Sequence, residues 1–404
     1  MSNIRKLAYG EAADTPLNLR LALEEAARCL LCEDAPCSRD CPAETDPGKF
    51  IRSIRFKNFK GAAETIRTNN ILGATCAMIC PYDKLCENAC SRTGIDKPIQ
   101  IGKLQQFAME QEKIFNMNIL EKSAPRKEKV LCIGAGPASL ACAAKLAQNG
   151  INVHIIDKHE KPGGVLRYGI TPSRLSDDTV DQDIDKVRKL GVTFEQNRRV
   201  SASELETLKK QYDAVFIGVG LWDSKTIPSL QKMDITNAES AINFLKRARQ
   251  AKGNIPKLGN VVIVGGGDVA MDCASTAKQL GAESVYVVFL ESIEEMPANK
   301  NELQYIISLG IPVVPQFIPA EIHGTDKVEA ISFKSVKNNS KIKLDADNLI
   351  FAIGQKAEND YAEIKNDKAL FYAGDIVNKG KTVVHAVAEG KEAAAKIIDY
   401  LHTL

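Results

Sequence analysis

Hydrophobic positions in this 404-residue chain fall into two kinds of run. Short, unbroken apolar blocks at 130–133, 153–156, 214–217, 261–264 and 285–289 are too brief for helices and read as buried parallel strands. Residues 192–195 and 348–354 read as further strands. Between them lie segments of helical period. One is an Ala-rich stretch stopping at Asn149-Gly150, one is 178–190 with apolar Val180, Ile184 and Val187, and one is 271–280. Strand and helix in alternation predict an α/β chain. The N-terminal region differs: 16–28 patterns as an amphipathic helix, and 47–69 as two more.

Two strand ends carry glycine turns. Gly134-Ala135-Gly136-Pro137-Ala138 follows the block at 130–133. Gly134 permits a tight turn, Gly136 lets backbone approach a pyrophosphate, and the helix N-terminus adds N–H groups and partial positive charge. Asp157 stands at about the ~20-residue spacing expected of a ribose-binding acid. Ser139 or Leu140 occupies the place of the usual third glycine. A second unit follows 261–264, with Gly265-Gly266-Gly267-Asp268 as its turn, and its next strand leads to Leu290 and Glu291. A carboxylate there accepts a hydrogen bond from a ribose 2′-hydroxyl and repels a 2′-phosphate, so NADH is expected over NADPH. Two such units in one chain reinforce each other.

Composition narrows the class. A formal net charge of +2 argues against nucleic-acid and membrane partners. The first residues lack the apolar core of a signal peptide, and no run approaches the ~20 residues of a membrane span. A cytoplasmic location is expected, where structural disulfides are rare. Yet there are eleven cysteines. Cys132, Cys142 and Cys273 lie in the nucleotide-type segments and read as small core hydrophobes. The others form Cys29-x2-Cys32-x4-Cys37-x3-Cys41-Pro42 and Cys76-x3-Cys80-Pro81-x4-Cys86-x3-Cys90. Two groups of four, each with a Cys-Pro, in a region without histidine favour two [4Fe–4S] clusters over zinc or redox disulfides. By residue chemistry alone Cys76 is the better eighth ligand, since thiolate suits iron more than a neutral amide.

The cysteine pattern followed by GAGPAS resembles the flavoprotein half of dihydropyrimidine dehydrogenase and, beside it, the small subunit of glutamate synthase. The resemblance spans nearly the whole chain. It implies a helical double-cluster domain at 1–124, a discontinuous FAD domain at 125–225 and 356–404, and an inserted NAD domain at 226–355. It implies one cluster on Cys29, Cys32, Cys37 and Cys90. The other falls to Cys41, Cys80, Cys86 and Gln105, the last in an LQQFA segment, with Cys76 a free neighbour. Pro162-Gly163-Gly164 after Asp157 matches flavoproteins of the glutathione reductase type, which favours FAD at the first turn. Arg174 matches an arginine that relatives keep near the flavin, although Pro172 is displaced and Ser173 replaces an aromatic residue. Gly374-Asp375 resembles the last flavin motif, with Asp375 toward the ribityl–phosphate part. Thr382 and Val383 open the final helix, and His385 is a candidate proton donor there. Ile79, Val165, Val200, Val269 and Gly354 complete the expected cofactor contacts, with 122–129 as a solvated linker.

What the resemblance implies is an electron-input subunit, from NADH through FAD and two clusters. No Cys-x-x-Cys flanks the flavin motif, which argues against disulfide reduction. The chain has no room for an FMN-bearing barrel of ~250 residues, so a partner subunit is expected to reduce uracil or thymine. The alternatives are a glutamate synthase small subunit and a non-catalytic assembly subunit.

Overall fold

The computed structural model describes residues 8–11, 15–230, 234–358 and 367–404. The fold is α/β, with a helical N-terminal part followed by two parallel sheets. The chain divides into two compact units. One holds Asp14–Leu166, Leu175–Leu221 and Ala357–Leu404; the other holds Arg167–Arg174 and Trp222–Lys356, with residues 8–11. Among the described residues no helix is long and apolar enough to cross a membrane.

The first unit begins with α1 (Leu19–Ala27), α2 (Pro36–Arg39), α3 (Pro47–Arg55), α4 (Phe59–Asn69), α5 (Gly73–Ile79) and α6 (Ile101–Ile114). The side chains of Asn18, Asp46 and Asn58 cap α1, α3 and α4, which sets where the expected helices start. Ala22, Phe50, Ile54, Ile66, Leu104 and Phe107 pack as one core. The segment from 117 to 128 has no helix or strand, but it is tethered rather than loose. Ser123 Oγ donates to Gln148 O, and Arg126 N donates to Gly150 O.

There follow β1 (Lys129–Ile133), α7 (Pro137–Gln148), β2 (Asn152–Ile156), α8 (Val165–Tyr168), α9 (Asp177–Lys189), β3 (Thr193–Glu195), α10 (Ala202–Leu208) and β4 (Ala214–Ile217). With a late strand at Leu370–Tyr372 the sheet runs late strand, β4, β1, β2, β3, all parallel. Strand order therefore switches between β1 and β4, the place where such sheets bind ligands. The final helix Val383–Leu401 lies on α7, so closely that a Cβ at Gly390 would stand 2.2 Å from Ala138 O. On α9 the expected Val180, Ile184 and Val187 are buried, with Asp183 among them. Asp183 accepts the N–H of Ala74 (3.2 Å) and Thr75 (2.8 Å) at the start of α5 and pairs with the fully buried Arg67. Arg67 also binds Glu112 (2.7 Å), itself held by Lys186 (2.9 Å). Each buried charge is tolerated because it is paired, and losing one partner of such a set costs about 3–5 kcal/mol.

The second unit contains β5 (Asp223–Ser224), β6 (Ala238–Ser240), α11 (Ala241–Gln250), β7 (Asn260–Val264), α12 (Asp268–Gln279), β8 (Ser284–Phe289), α13 (Lys300–Ser308) and β9 (Val313–Pro315). It continues through β10 (Phe317–His323), β11 (Ala330–Ser335), β12 (Lys341–Asp345), β13 (Asn348–Phe351) and β14 (Gln355–Lys356). Its parallel sheet has the order β6, β13, β7, β8, β9, and β10 to β12 form an antiparallel sheet. Several boundaries differ from the sequence reading by a few residues, α1 starting at Leu19 rather than 16. α12 starts at Asp268 rather than Met271, because Gly267 already has the extended backbone of a cap. β13 stops at Phe351, because its parallel pairing with β7 ends where β7 enters its turn.

Candidate cofactor sites

At the first turn Gly134 has φ +91°, and a Cβ there would stand 2.7 Å from Gly218 O, at the end of the neighbouring strand. Only glycine fits. Gly136 is the N-cap of α7, with Pro137 at its first position. A Cβ at Gly164 would stand 2.9 Å from Gly136 Cα, so the Gly163-Gly164 loop lies directly on the turn. Ser139, in the place of the third glycine, is fully buried; a Cβ at Gly218 would meet its Oγ at 2.3 Å. The missing glycine is thus offset by a glycine across the sheet. The Asp157 carboxylate is turned inward. It accepts Ala135 N–H (2.6 Å) and His159 N–H (2.7 Å), with His159 Nδ1 at 3.0 Å. Val165 begins α8 beside this loop, and Val200 is buried under the sheet. The result is a cradle lined by backbone, which suits a pyrophosphate-bearing group such as FAD.

Gly374, φ +79°, brings the last motif beside α7, where a Cβ on it would stand 3.0 Å from Ala138 Cβ. Glu389 of the final helix holds this turn. It accepts Gly374 N–H (2.8 Å) and Asn378 Nδ2 (3.0 Å), while Asn378 Oδ1 accepts the N–H of Gly380 and Lys381. Nothing in the local sequence marked Glu389. Burial, then the Glu389 charge, pushes the Asp375 carboxyl up to about 6, against the Lys381 N–H. Thr382 is the N-cap of the final helix and its Oγ1 lies 2.6 Å from His385 Nδ1. Burial, then Lys381, pushes His385 below the usual imidazole range.

In the second unit Gly265 repeats the lock. Its φ is +142°, and a Cβ would stand 2.3 Å from Ala352 O beyond β13. A Cβ at Gly266 would meet Glu291 Oε2 at 3.2 Å, so that carboxylate lies beside the turn. Residues 296–298 fold back onto it, with Ala298 N–H on Gly266 O (3.1 Å) and Asn299 N–H on Asp268 Oδ1 (2.7 Å). Val269 and Leu290 remain 40% and 54% exposed there. Arg174 groups with this unit. Its Nη1 binds both oxygens of Asp272 (2.9 Å each) and its Nε pairs with Glu302 (3.2 Å). Gly354, φ +100°, accepts Lys225 N–H (3.1 Å) and also belongs to this unit.

All eleven cysteines are free thiols, and Cys132, Cys142 and Cys273 are fully buried core residues as expected. The other eight sort by mutual influence. Burial raises the Cys29 thiol, and Cys90 and Cys32 add to it. Burial, then Cys90, Cys29 and Cys32, pushes Cys37 up to about 11. A hydrogen bond to Cys76, then burial, Cys76, Cys86 and Cys41, raises Cys80. Burial, then Cys41, Glu87 and Cys37, raises Cys86. Cys29, Cys32, Cys37 and Cys90 therefore act chiefly on one another, and Cys41, Cys76, Cys80 and Cys86 on one another, with Cys37 also reaching Cys86. Among the described residues no three His, Cys, Asp or Glu side chains converge on one metal ion. Such crowding of thiols is relieved by cations bound to thiolates, the donor set that iron clusters use. Gln105 is buried on α6, and its Nε2 donates to Gly73 O (2.7 Å) at the head of α5. That commits the amide nitrogen and leaves Oε1 as the donor atom. Ile79 closes α5 just before Cys80.

Two family models together match most of the chain. Residues 7–117 match the family described as "Dihydroprymidine dehydrogenase domain II, 4Fe-4S cluster". Residues 128–390 match "Pyridine nucleotide-disulphide oxidoreductase". The NAD-dependent dihydropyrimidine dehydrogenase subunit PreT of Salmonella typhimurium is 46% identical over 402 residues, covering 96% of this chain and 95% of that protein. The subunit of the same name from Escherichia coli K12 is 45% identical over 396 residues, covering 94% of each. The fold is shared with Mycobacterium tuberculosis FprA in complex with NADPH (TM-score 0.59, 15% identity, 69% of this chain and 85% of that one). It is also shared with Lactococcus lactis thioredoxin reductase (TM-score 0.54, 15% identity, 69% and 100%). The chain belongs to the family of iron–sulfur, pyridine-nucleotide-dependent subunits of bacterial NAD-dependent dihydropyrimidine dehydrogenase.

Proposed function

We propose that this chain is the electron-input subunit of a cytoplasmic dihydropyrimidine dehydrogenase, taking a hydride from NADH and passing single electrons to an FMN-bearing partner that reduces uracil or thymine. The observation that carries the reading is the sorting of eight cysteines into two neighbourhoods within the unit that also holds the first glycine turn. FAD and two [4Fe–4S] clusters would supply the chemistry of hydride acceptance and one-electron relay. Around them, this chain's residues bind and orient. Gly134, Ala135, Gly136, Pro137 and Ala138 offer the pyrophosphate cradle, with Asp157 ordering the Ala135 N–H and Gly164 and Val165 closing over it. Gly374, Asp375, Thr382 and Val383 hold the other end of the flavin. Gly266, Gly267, Asp268 and Val269 form the NADH turn, and Glu291 disfavours a 2′-phosphate.

For the clusters, the first set is Cys29, Cys32, Cys37 and Cys90, and the second is Cys41, Cys80, Cys86 and Gln105. The committed nitrogen of Gln105 supports its oxygen as a ligand. The Cys76–Cys80 thiol contact favours a second reading in which Cys76 replaces Gln105. The domain division is read as double-cluster, FAD and inserted NAD domains.

The purified anaerobic chain should carry about eight irons and eight sulfides, and should reduce an artificial dye with NADH. It should leave uracil untouched until the FMN-bearing subunit is added. Gln105→Ala should change the EPR signal of one cluster and slow pyrimidine reduction, while NADH still bleaches the flavin at the parent rate. If Cys76→Ser gives that result instead, the second ligand reading holds. Uracil reduction by the chain alone, or productive pairing with a glutamate synthase large subunit, would overturn the assignment.

A further inference from the structure

Three large apolar side chains stand in water around the first cysteine neighbourhood. Leu30, next to Cys29, is 46% exposed, Ile95 65% and Phe56 70%. Hydrogen bonds gather their segments at one junction. Arg55 reaches Cys29 O from the end of α3 (3.5 Å), and Arg92 donates to Arg28 O (2.9 Å). Arg28 in turn binds the Asp96 carboxylate (3.2 Å) and Lys97 O (2.7 Å). Each apolar side chain is thus adjacent in sequence to a residue fastened at Arg28 or Cys29. Beside them α3 and the turn that follows it carry basic side chains outward. Arg52 and Lys57 are exposed, and neither forms an ion pair among the described residues, whereas Lys60 pairs with Glu64. All four thiols of this neighbourhood are half-buried, whereas only Cys41 and Cys80 of the other are, with Cys76 and Cys86 buried.

We propose that Leu30, Phe56 and Ile95, rimmed by Arg52 and Lys57, form the face on which the electron-accepting partner subunit docks, presenting an apolar centre within an acidic rim. This rests on the electron-input reading above. An electron leaves a cluster only toward an acceptor held close to it, and this face surrounds the more open thiol set. An apolar centre excludes water from such a contact, and unpaired basic residues at its edge steer an acidic partner. The same helical part exposes Ile114 and Phe115 (69% and 63%) at the far end of α6, away from its Gln100 end, which Glu25 holds near Arg28. Those residues serve as the control.

The test uses the anaerobically purified full chain and an FMN- and iron–sulfur-bearing dihydropyrimidine dehydrogenase subunit, measuring their Kd at low and high salt. F56D/I95D is expected to weaken binding about a hundredfold. R52E/K57E should slow association at least tenfold and flatten its salt dependence, because rim charges act mainly on the encounter. F115D should bind like the parent. Iron content and NADH bleaching of the flavin should be unchanged in all three, which separates lost docking from lost folding. Parent-like binding by F56D/I95D, or equal weakening by F115D, would overturn the docking face while leaving the electron-input reading intact. So would a self-associated chain, or one bound to anionic phosphatidylserine vesicles, that F56D/I95D releases without changing partner affinity. A parent chain that bleaches with NADH but does not bind the partner at all would sink the electron-input reading, and the docking face with it.

Discussion

The two glycine turns share one construction and differ in how they are closed. In each, a positive-φ glycine at a strand end meets a neighbouring strand's backbone carbonyl, Gly134 against Gly218 and Gly265 against Ala352. Helix α7 of the first turn then starts on buried Pro137 and Ala138, with Gly163-Gly164 above it and Asp157 drawn into its backbone. Helix α12 of the second turn starts on exposed Asp268 and Val269, and its acid, Glu291, stands beside the turn rather than within it. The same motif thus makes a closed seat in one unit and an open one in the other. A closed seat suits a cofactor that stays, and an open one suits a co-substrate that exchanges each cycle. Backbone geometry alone carries both.

The largest effect should come from breaking each turn separately. Gly134→Val sets a branched side chain at φ +91° against Gly218 O, and the strain of about 1–3 kcal/mol from φ alone adds to that clash. The purified protein should hold less than about a tenth of its FAD by absorbance, an affinity loss of at least ~1.4 kcal/mol. Gly265→Val should keep its flavin and raise the KM for NADH about tenfold or more. If Gly265→Val also strips FAD, the two seats are not independent and the comparison fails.

A next smaller effect concerns the open seat. Glu291→Arg should shift the NADH-to-NADPH preference, measured as flavin bleaching rates, by about 10–100-fold toward NADPH, since a carboxylate–phosphate repulsion is replaced by attraction. Equal rates with both nucleotides in the parent would remove the role given to Glu291. For the closed seat, Asp157→Ala leaves the Ala135 N–H without its acceptor. An unmet buried N–H costs about 1–3 kcal/mol, so FAD should dissociate roughly tenfold faster. No change in dissociation would mean that the inward turn of Asp157 is incidental.

The smallest effect is in pH. The Asp375 carboxyl is raised from 3.8 to about 6. A raised acid binds its proton more tightly in the folded state, so its share of stability is complete below pH 3.8 and is lost as pH rises through 6. The shift sets a ceiling of about 3 kcal/mol, reduced by solvent screening at this half-buried group. Flavin-free Asp375→Asn should therefore be more stable than the parent to urea at pH 7.5, with the gap narrowing toward pH 5. A gap that does not change with pH would place the titration elsewhere.

Strand blocks and glycine turns were legible in the sequence because each is a local device. The caps at Asn18 and Gly267 were not read, and the starts of α1 and α12 were missed by a few residues. Gly218 was harder, because its role is to make room for Ser139 on another element. Glu389 and Asp183 were invisible, because a lone acid in an amphipathic helix looks like any other until its distant N–H partners are known.

By itself the sequence determined the chemistry available: eight thiols in two spaced runs, two phosphate turns, and an acid rather than an arginine after the second nucleotide unit. These depend on residue type and near spacing, which folding does not alter. Tertiary structure decided the assortment. It set Cys90 with Cys29 across the chain, folded Asp157 into its own turn, and gave Arg174 to Asp272 and Glu302. Which groups meet across tens or hundreds of residues is set by how helices and strands pack, and packing depends on the summed burial of the whole core rather than on any one motif.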